Sequence, residues 1–136
     1  MNREIKFRAW DKLDKKIYDV GHIGFGKETQ HVFLNIPNLY PNNTIISSFR
    51  KIKDIELMQY TGLKDVNYKE IFEGDIVKYP VHYWDGRETE WLKGKVEFLH
   101  GFFCVTNLDG SHDTLNIHDK ELIGNIHENP ELWDEK

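Results

Sequence analysis

Apolar and polar residues alternate with a period of two over much of the chain, a pattern typical of strands that bury one face. Residues 5–10 show it first, and a polar turn at 11–16 followed by an apolar stretch at 17–20 completes a predicted hairpin. Residues 31–36 predict a further strand that ends at Pro37, because proline cannot donate a backbone hydrogen bond. Three glycines between these strands predict a loss of regular structure: Gly21, Gly24 and Gly26.

The second half of the chain predicts a series of short strands separated by turn signals, among them Gly74 before the strand at 76–84 and His100-Gly101 before the strand at 102–107. The predicted strands are 55–60, 76–84, 91–99, 102–107, 114–117 and 122–127. The last five fall within about 55 residues, which is the spacing of a small closed barrel. Residues 45–49 fit either a strand or a short helical turn, and 129–132 predict a capped helical turn. We therefore predict an all-β fold, with a β-hairpin extension at 1–57 and a barrel domain at 58–136.

The composition is that of a folded protein in a reducing compartment. Aromatic residues make up 13% of the 136 residues, which provides enough large apolar surface for a core and argues against disorder. The length suits one domain or two small ones. Cys104 is the single cysteine, so an internal disulfide and a cysteine-based zinc site are excluded, and its apolar neighbours predict a buried thiol. A cytoplasmic location fits this cysteine count.

Charge is divided unevenly along the chain. Residues 1–60 hold ten Lys and Arg against seven Asp and Glu, a net charge of +3, whereas residues 61–136 hold eight against sixteen, a net charge of −8. The acidic half disfavours contact with a nucleic-acid backbone, although a solvated acidic surface is the commoner explanation of such a charge. Residues 29–49 lack Asp, Glu, Lys and Arg, but prolines and asparagines interrupt them, so no membrane span is predicted.

Three segments resemble the YopX family of phage and prophage proteins. They are MQYTGLKDVNYKEIFEGDIVKYP at 58–80, FRAWDK at 7–12 and IGNIHENPEL at 123–132. The resemblance implies an SH3-like barrel in the C-terminal half, a phage or prophage origin and a bacterial cytoplasm; it allows a homo-oligomer and carries no catalytic residues. The family pattern has Asn-Gly where this chain has Asn67 and Tyr68, so either the turn is reshaped or Asn67 alone adopts a positive φ.

Candidate catalytic and metal-binding groups each have a simpler structural interpretation. Four carboxylates lie within 11 positions: Asp65, Glu70, Glu73 and Asp75. They could hold a divalent cation, but their spacing fits no EF-hand, and the first and last are predicted to bind turn backbone. His112 and His118 could contribute to a transition-metal site, although scattered surface histidines are commoner. We predict no metal, no cofactor and no catalysis; a metal-assisted hydrolase using the carboxylates is the remaining enzyme hypothesis.

Two surfaces are candidates for binding. Lys6, Arg8 and Trp10 would share one strand face near further basic residues, which is the composition of a nucleic-acid contact, although a solvated strand face is commoner. The second surface comprises four aromatic residues at a predicted hairpin: Tyr79, Tyr83, Trp84 and Trp91. They would form a stacking or peptide-docking face. The alternative is that they close the barrel or an oligomer interface.

The expected function is binding or assembly in place of catalysis. The apolar strand predicted at 31–36 would promote aggregation as an open edge, and another subunit would cover it, so we predict a homo-oligomer. A protein of the phage or of its host is a further expected partner. The alternative function is nucleic-acid binding through the basic first hairpin. No membrane contact is expected.

Overall fold

The computed structural model of the chain describes residues 3–38, 42–115 and 119–134. In these residues the protein is antiparallel and all-β, with one 3-10 helix and one short α-helix, so the all-β prediction is confirmed. The strands are β1 Phe7–Asp11, β2 Lys16–Phe25, β3 Gln30–Asn38, β4 Thr44–Lys51, β5 Ile55–Lys64, β6 Glu70–Phe72, β7 Asp75–Val81, β8 Glu90–Leu99, β9 Phe102–Asn107, β10 His112–Thr114 and β11 Glu121–Asn125. The 3-10 helix is Ile52–Asp54, and α1 is Pro130–Asp134. The strand predicted at 114–117 extends outside the described residues.

The chain forms two compact units, an N-terminal unit at Glu4–Gln59 and a C-terminal unit at Tyr60–Lys136 with Met1–Arg3. The division falls within β5, whose first half pairs with β1 and whose second half pairs with β6. Each unit has its own cluster of buried apolar side chains. The N-terminal region is therefore a folded unit with a core, and more than the hairpin extension that its sequence pattern predicts.

In the N-terminal unit, β1 to β4 form an antiparallel meander and β5 returns to pair with β1, which gives the order β4-β3-β2-β1-β5. The core contains Ala9, Val32, Leu34 and Ile55, each at most 4% exposed. Val32 and Leu34 are two positions apart because successive side chains of a strand point to opposite faces. The alternation in the sequence therefore decides which face of β3 is buried.

Two predictions for the N-terminal unit are wrong at a glycine and at a proline. β2 runs through Gly24, where the sequence predicted a break. A Cβ at Gly24 would lie 2.1 Å from the ring of His31, so this ring occupies the space that a side chain at position 24 would need and would have to move to admit one. β3 continues through Pro37, which lies beyond Asn35, the last residue paired with β2. From there β4 is the only pairing partner of β3 among the described strands, and an edge position of this kind tolerates proline.

In the C-terminal unit, five strands have the order β10-β9-β8-β7-β11, again a meander of four strands with the last strand beside the first. The core comprises five side chains: Ile71, Val77, Tyr79, Val96 and Val105. His100 and Gly101 have φ +53° and +88° between β8 and β9, and Gly74 has φ +83° before β7, so the turns predicted there are confirmed. Within the described ranges no strand pairing closes this sheet, so the SH3-like barrel is not confirmed.

The segment between β5 and β6 is a turn organised by Asp65. Its carboxylate is 4% exposed and accepts hydrogen bonds from the backbone N–H groups of Asn67, Lys69 and Leu122. Burial alone would raise the pKa of Asp65, but these N–H groups outweigh burial and lower it. Tyr68 has φ +62°, so this residue, and not Asn67, adopts the left-handed conformation where the family pattern has glycine.

The strand order also corrects the predicted open edge. β3 lies between β2 and β4, so residues 31–35 are paired on both sides within the chain, and Ile36 is paired with β4. The outermost strand of this sheet is β4, which confirms a strand at 45–49. The argument for a homo-oligomer from an open edge at 31–36 is therefore wrong, and the edge that could pair with another chain is β4.

Candidate binding surfaces

β4 is an exposed and apolar edge strand of eight residues. Ile45, Ile46 and Phe49 are 69%, 48% and 49% exposed. Residues 44–49 carry no charged side chain, and Arg50 turns toward Asp11. Edge strands of soluble proteins are usually short, charged, bulged or covered, because their free N–H and C=O groups can pair with another strand. β4 is eight residues long and its exposed charge, Lys51, lies at its last position, so length and charge do not protect residues 44–49, which are a candidate surface for strand pairing.

Four rings cluster on the face of β2, β3 and β4 opposite the core; we name it the aromatic face: His22, His31, Phe33 and Phe49. Phe33 is paired in register with His22 on one side and Phe49 on the other, so their side chains share this face. Ring centroids are 5.3 Å apart for His31 and Phe49, and 5.6 Å for His31 and Phe33. The partly exposed rings offer π faces on which planar ligands can stack.

A cleft of about 320 Å³ adjoins the aromatic face and shares two of its rings, His31 and Phe49. The rest of the lining comes from the turn before β3 and the start of β3, and from the end of β4 and the 3-10 helix: Glu28, Thr29, Gln30, Lys51, Ile52 and Lys53. Lys51 and Lys53 are exposed. This cleft, which we name the β4 cleft, therefore combines aromatic rings with positive charge inside the N-terminal unit.

A buried ion pair joins β1 to β4 in the N-terminal unit. Asp11 is fully buried, and the Arg50 guanidinium donates to both of its carboxylate oxygens at 3.1 Å. Burial alone would raise the pKa of Asp11, but the hydrogen bonds and charge of Arg50, with backbone N–H groups, lower it. Sequence analysis missed this pair. The sequence did contain a signal: Asp11 is two positions after Ala9, so the alternation of the strand places both side chains on the buried face of β1.

The predicted nucleic-acid surface on the first hairpin is partly engaged in other contacts. Lys6 lies 3.5 Å from the carboxylate of Glu4. Arg8 and Trp10 are both half-buried and lie on one face of β1, two positions apart. A phosphate backbone needs exposed cations, so this face offers less than its sequence suggests.

The predicted aromatic hairpin has an exposed tip, but Tyr79, which was predicted to share this surface, lies in the core of the C-terminal unit. Trp84 is fully exposed and Trp91 is 62% exposed. The ring of Tyr83 stacks on Arg87, with the guanidinium carbon 3.8 Å from the ring centroid, and the ammonium of Lys78 lies 5.6 Å from the ring of Trp91. Each contact is a cation–π interaction at the surface. Tyr83 and Trp91 are therefore partly covered by cations, and Trp84 presents the free ring of this hairpin.

A polar network joins the buried Tyr79 of β7 to the exposed Asp113 of β10 in the C-terminal unit. The hydroxyl of Tyr79 lies 2.6 Å from the carboxylate of Asp113 and within hydrogen-bond distance of the side-chain oxygen of Asn107. The ammonium of Lys120 is 4.0 Å from the Tyr79 ring and 2.7 Å from Asp119. Burial, followed by the hydrogen bond to Asp113, raises the pKa of Tyr79 far above its ordinary value. The network therefore fixes a neutral phenol against β10.

The remaining candidate groups have structural roles. In the described part of the chain, no group of three or more His, Cys, Asp or Glu could hold a metal ion. Asp65 binds its turn as described above, and Asp75 accepts a hydrogen bond from the N–H of Phe72, so both carboxylates hold backbone as predicted. His118 lies outside the described residues. Cys104 is 2% exposed and burial raises its pKa, which confirms the buried thiol.

Comparison with known proteins identifies the family. The model of the YopX family, described as YopX protein, matches residues 6–134. The crystal structure of protein EF1440 from Enterococcus faecalis is similar, with a TM-score of 0.65 and 27% sequence identity over 98% of this chain and 100% of that one. None of the curated proteins matches the chain. In the described residues no helix has the length and apolar character to cross a membrane. The chain belongs to the YopX family.

Proposed function

We propose that this member of the YopX family is a non-catalytic assembly protein, encoded by a phage or prophage and active in the bacterial cytoplasm. The observation that carries the proposal is the β4 edge, whose apolar side chains are exposed and whose first six residues are uncharged. Its partner is a second copy of the chain. Strand addition to such an edge gains main-chain hydrogen bonds and buries apolar side chains together.

The sequence of β4 suits pairing with itself. A two-fold axis through Ser47 would align two copies of β4 in antiparallel register and place Ile45 opposite Phe49 of the partner subunit. Both side chains lie on the same face of the strand, four positions apart, so the pairing satisfies the alternation of a sheet. The new pair would continue the aromatic face across the interface. A homodimer with a continuous sheet is the resulting assembly.

Light scattering at tens of micromolar tests this proposal. We expect twice the chain mass of 16.2 kDa for the natural protein and a monomer for Ile45→Lys, because each lysine would place a charge opposite Phe49 of the partner subunit and remove the apolar contact there. Leu13→Lys is the matched control, since Leu13 is 64% exposed in a turn of the same unit and should leave the dimer intact. A monomer mass for the natural protein, or dissociation of both variants alike, would contradict pairing through β4.

An SH3-like barrel in the C-terminal unit belongs to the same proposal. In flat sheets β7 and β10 would be about 14 Å apart, because three spacings of about 4.8 Å separate them. The 2.6 Å contact between Tyr79 on β7 and Asp113 on β10 supports a sheet that curls until these strands approach each other. The strand order β10-β9-β8-β7-β11 supports such a small barrel as well.

A further inference from the structure

We propose that the β4 cleft and the aromatic face bind single-stranded nucleic acid, with one nucleotide in the cleft and the next base on the adjoining rings. The proposal concerns a different part of the N-terminal unit from the basic hairpin. It rests on the joint presence of a cluster of aromatic rings in edge-to-face and tilted contact, two exposed lysines and a cleft of suitable size. Each of these features alone is common on protein surfaces, and their combination at one place favours a ligand that has both bases and phosphates.

The rings supply the stacking platform. Phe49 and His31 line the cleft with centroids 5.3 Å apart and planes inclined by 33°. His22 and Phe33 extend the platform outside the cleft lining, with His22 5.6 Å from Phe33. Bases stack on aromatic side chains with little dependence on sequence, because every base has a π face. A platform that continues beyond the cleft suits a strand better than a free nucleotide.

The charges supply the contact for phosphate. Lys51 and Lys53 line the cleft against a single carboxylate, Glu28, so the lining has a net charge of +1. Residues 1–60, which include this unit, hold a net charge of +3, whereas residues 61–136 hold −8. An acidic peptide could use the lysines but would leave the ring platform without a role. A nucleotide strand uses both, because its bases stack while its phosphates pair with ammonium groups.

The size of the cleft fits one nucleotide. Its volume of about 320 Å³ lies at the lower end of the range of small-molecule sites, about 300–1,000 Å³. Thr29 and Gln30 add a hydroxyl and an amide that can donate to and accept from the edge of a base. The cleft therefore holds one base and its phosphate, and the affinity of a longer strand comes from the rings and lysines around it.

Fluorescence anisotropy with labelled oligo(dT) and oligo(rU), at low and at physiological salt, tests the inference. Two double variants are compared. One carries both Lys51→Glu and Lys53→Glu, and the other carries both Lys15→Glu and Lys16→Glu. Both variants change the net charge by −4, so general electrostatics is matched and only the location differs. We expect the first variant to lose at least about tenfold in affinity, with a salt slope shallower by about 1.4, since each phosphate contact contributes about 0.7 on single strands. The second should lose less than about threefold.

A pair of phenylalanine variants separates stacking from charge. Phe49→Leu should weaken binding by about fivefold or more, the equivalent of one base stack, whereas Phe102→Leu should leave it unchanged. The two residues are matched, at 49% and 53% exposure on strands of different units. The mass and circular dichroism of every variant are measured in the same samples, so loss of the dimer or of the fold is not read as loss of a contact.

Several results would overturn the inference. They are absence of binding at low salt, equal losses in the two charge variants, a loss confined to the Lys15 and Lys16 variant, and an unchanged affinity in Phe49→Leu. Uridine monophosphate is also titrated against the bound oligonucleotide. If uridine monophosphate displaces the oligonucleotide at equal base concentration, the ligand is a free nucleotide, and the proposal that the site binds single-stranded nucleic acid is wrong.

Discussion

The two units share a strand order but protect their edges differently. Each has a four-strand meander with a fifth strand beside the first, and in each the fourth strand ends the sheet. In the C-terminal unit that strand is β10, which has three residues, and Asp113 and His112 bond to neighbouring side chains. In the N-terminal unit it is β4, which has eight residues and exposes Ile45 and Phe49. Short polar edges resist pairing and long edges with exposed apolar side chains favour it, so the same topology leaves an edge open to pairing in the N-terminal unit and a protected one in the C-terminal unit.

Both units link their first strand to their fourth through side chains, but the chemistry of the link differs. In both, a buried side chain of the first strand holds a side chain of the fourth across two intervening strands. The N-terminal unit uses the ion pair of Asp11 and Arg50, and the C-terminal unit uses the phenol of Tyr79 with Asp113. A buried charge that loses its partner is far more costly than a neutral hydroxyl that is removed. The comparison therefore predicts unequal responses to disruption.

The largest expected effect follows loss of Arg50. Arg50→Met keeps much of the side-chain volume but leaves the fully buried Asp11 without its cation, so we expect a loss of about 3–5 kcal/mol in the free energy of unfolding. Urea denaturation at neutral pH measures it. The control is Arg87→Met, which removes an exposed ion pair with Asp85 and should change stability little.

The pH dependence identifies the cause of that loss. In the natural protein the pKa of Asp11 lies below its ordinary value of 3.8, so its contribution is present above that value and is lost as the pH falls through the lowered pKa. Arg50→Met removes the hydrogen bonds and charge of Arg50 that lower this pKa, so the pKa of Asp11 should be higher in the variant than in the natural protein, and the difference in stability between the two proteins should narrow as the pH falls from 7. A parallel decline of both proteins with acid would show that packing, and not charge, causes the loss.

An intermediate effect is expected at the equivalent position of the C-terminal unit. Tyr79→Phe removes the hydroxyl between Asp113 and Asn107 while keeping the ring in the core, so we expect a loss of about 1–3 kcal/mol. The same urea experiment measures it. Tyr83→Phe is the control, because its hydroxyl is at the surface. A loss at Tyr79 as large as that at Arg50 would remove the proposed difference between an ionic and a neutral link.

The sequence predicted elements whose signals are local. The period-two pattern places β8 and β9 within a residue of their observed bounds, and Gly74 and Gly101 mark turns because their positive φ is a property of single residues. Contacts between distant residues left weaker signals. A break was wrongly predicted at Gly24, because the sequence does not show that the ring of His31 on the neighbouring strand lies over this position.

The candidate site depended on strand order, which the alternation of residues does not encode. His31 and Phe49 are 18 positions apart and meet only because β3 pairs with β4 in one register. For the same reason the exposed edge was predicted at 31–36, whereas the structure has it at β4. Asp11 and Arg50 are 39 positions apart, so only the alternation around Asp11 hinted at a buried carboxylate. The local pattern of residues thus predicts the strands, whereas the candidate binding surfaces depend on how the strands pair and pack.

The smallest expected effect concerns the turn at Tyr68, which tests how far this chain tolerates departure from its family pattern. Tyr68 has φ +62° and is 84% exposed, so its left-handed backbone gains little from burial. Glycine would relieve about 1–2 kcal/mol of strain and cost about 0.5–1 kcal/mol of unfolded-chain entropy, so we expect Tyr68→Gly to stabilise the protein by about 0.5–1 kcal/mol. Tyr68→Ala removes the ring but keeps the Cβ, and should not stabilise. If alanine stabilises as much as glycine, the strain lies in the exposed ring and not in the backbone of the Asp65 turn.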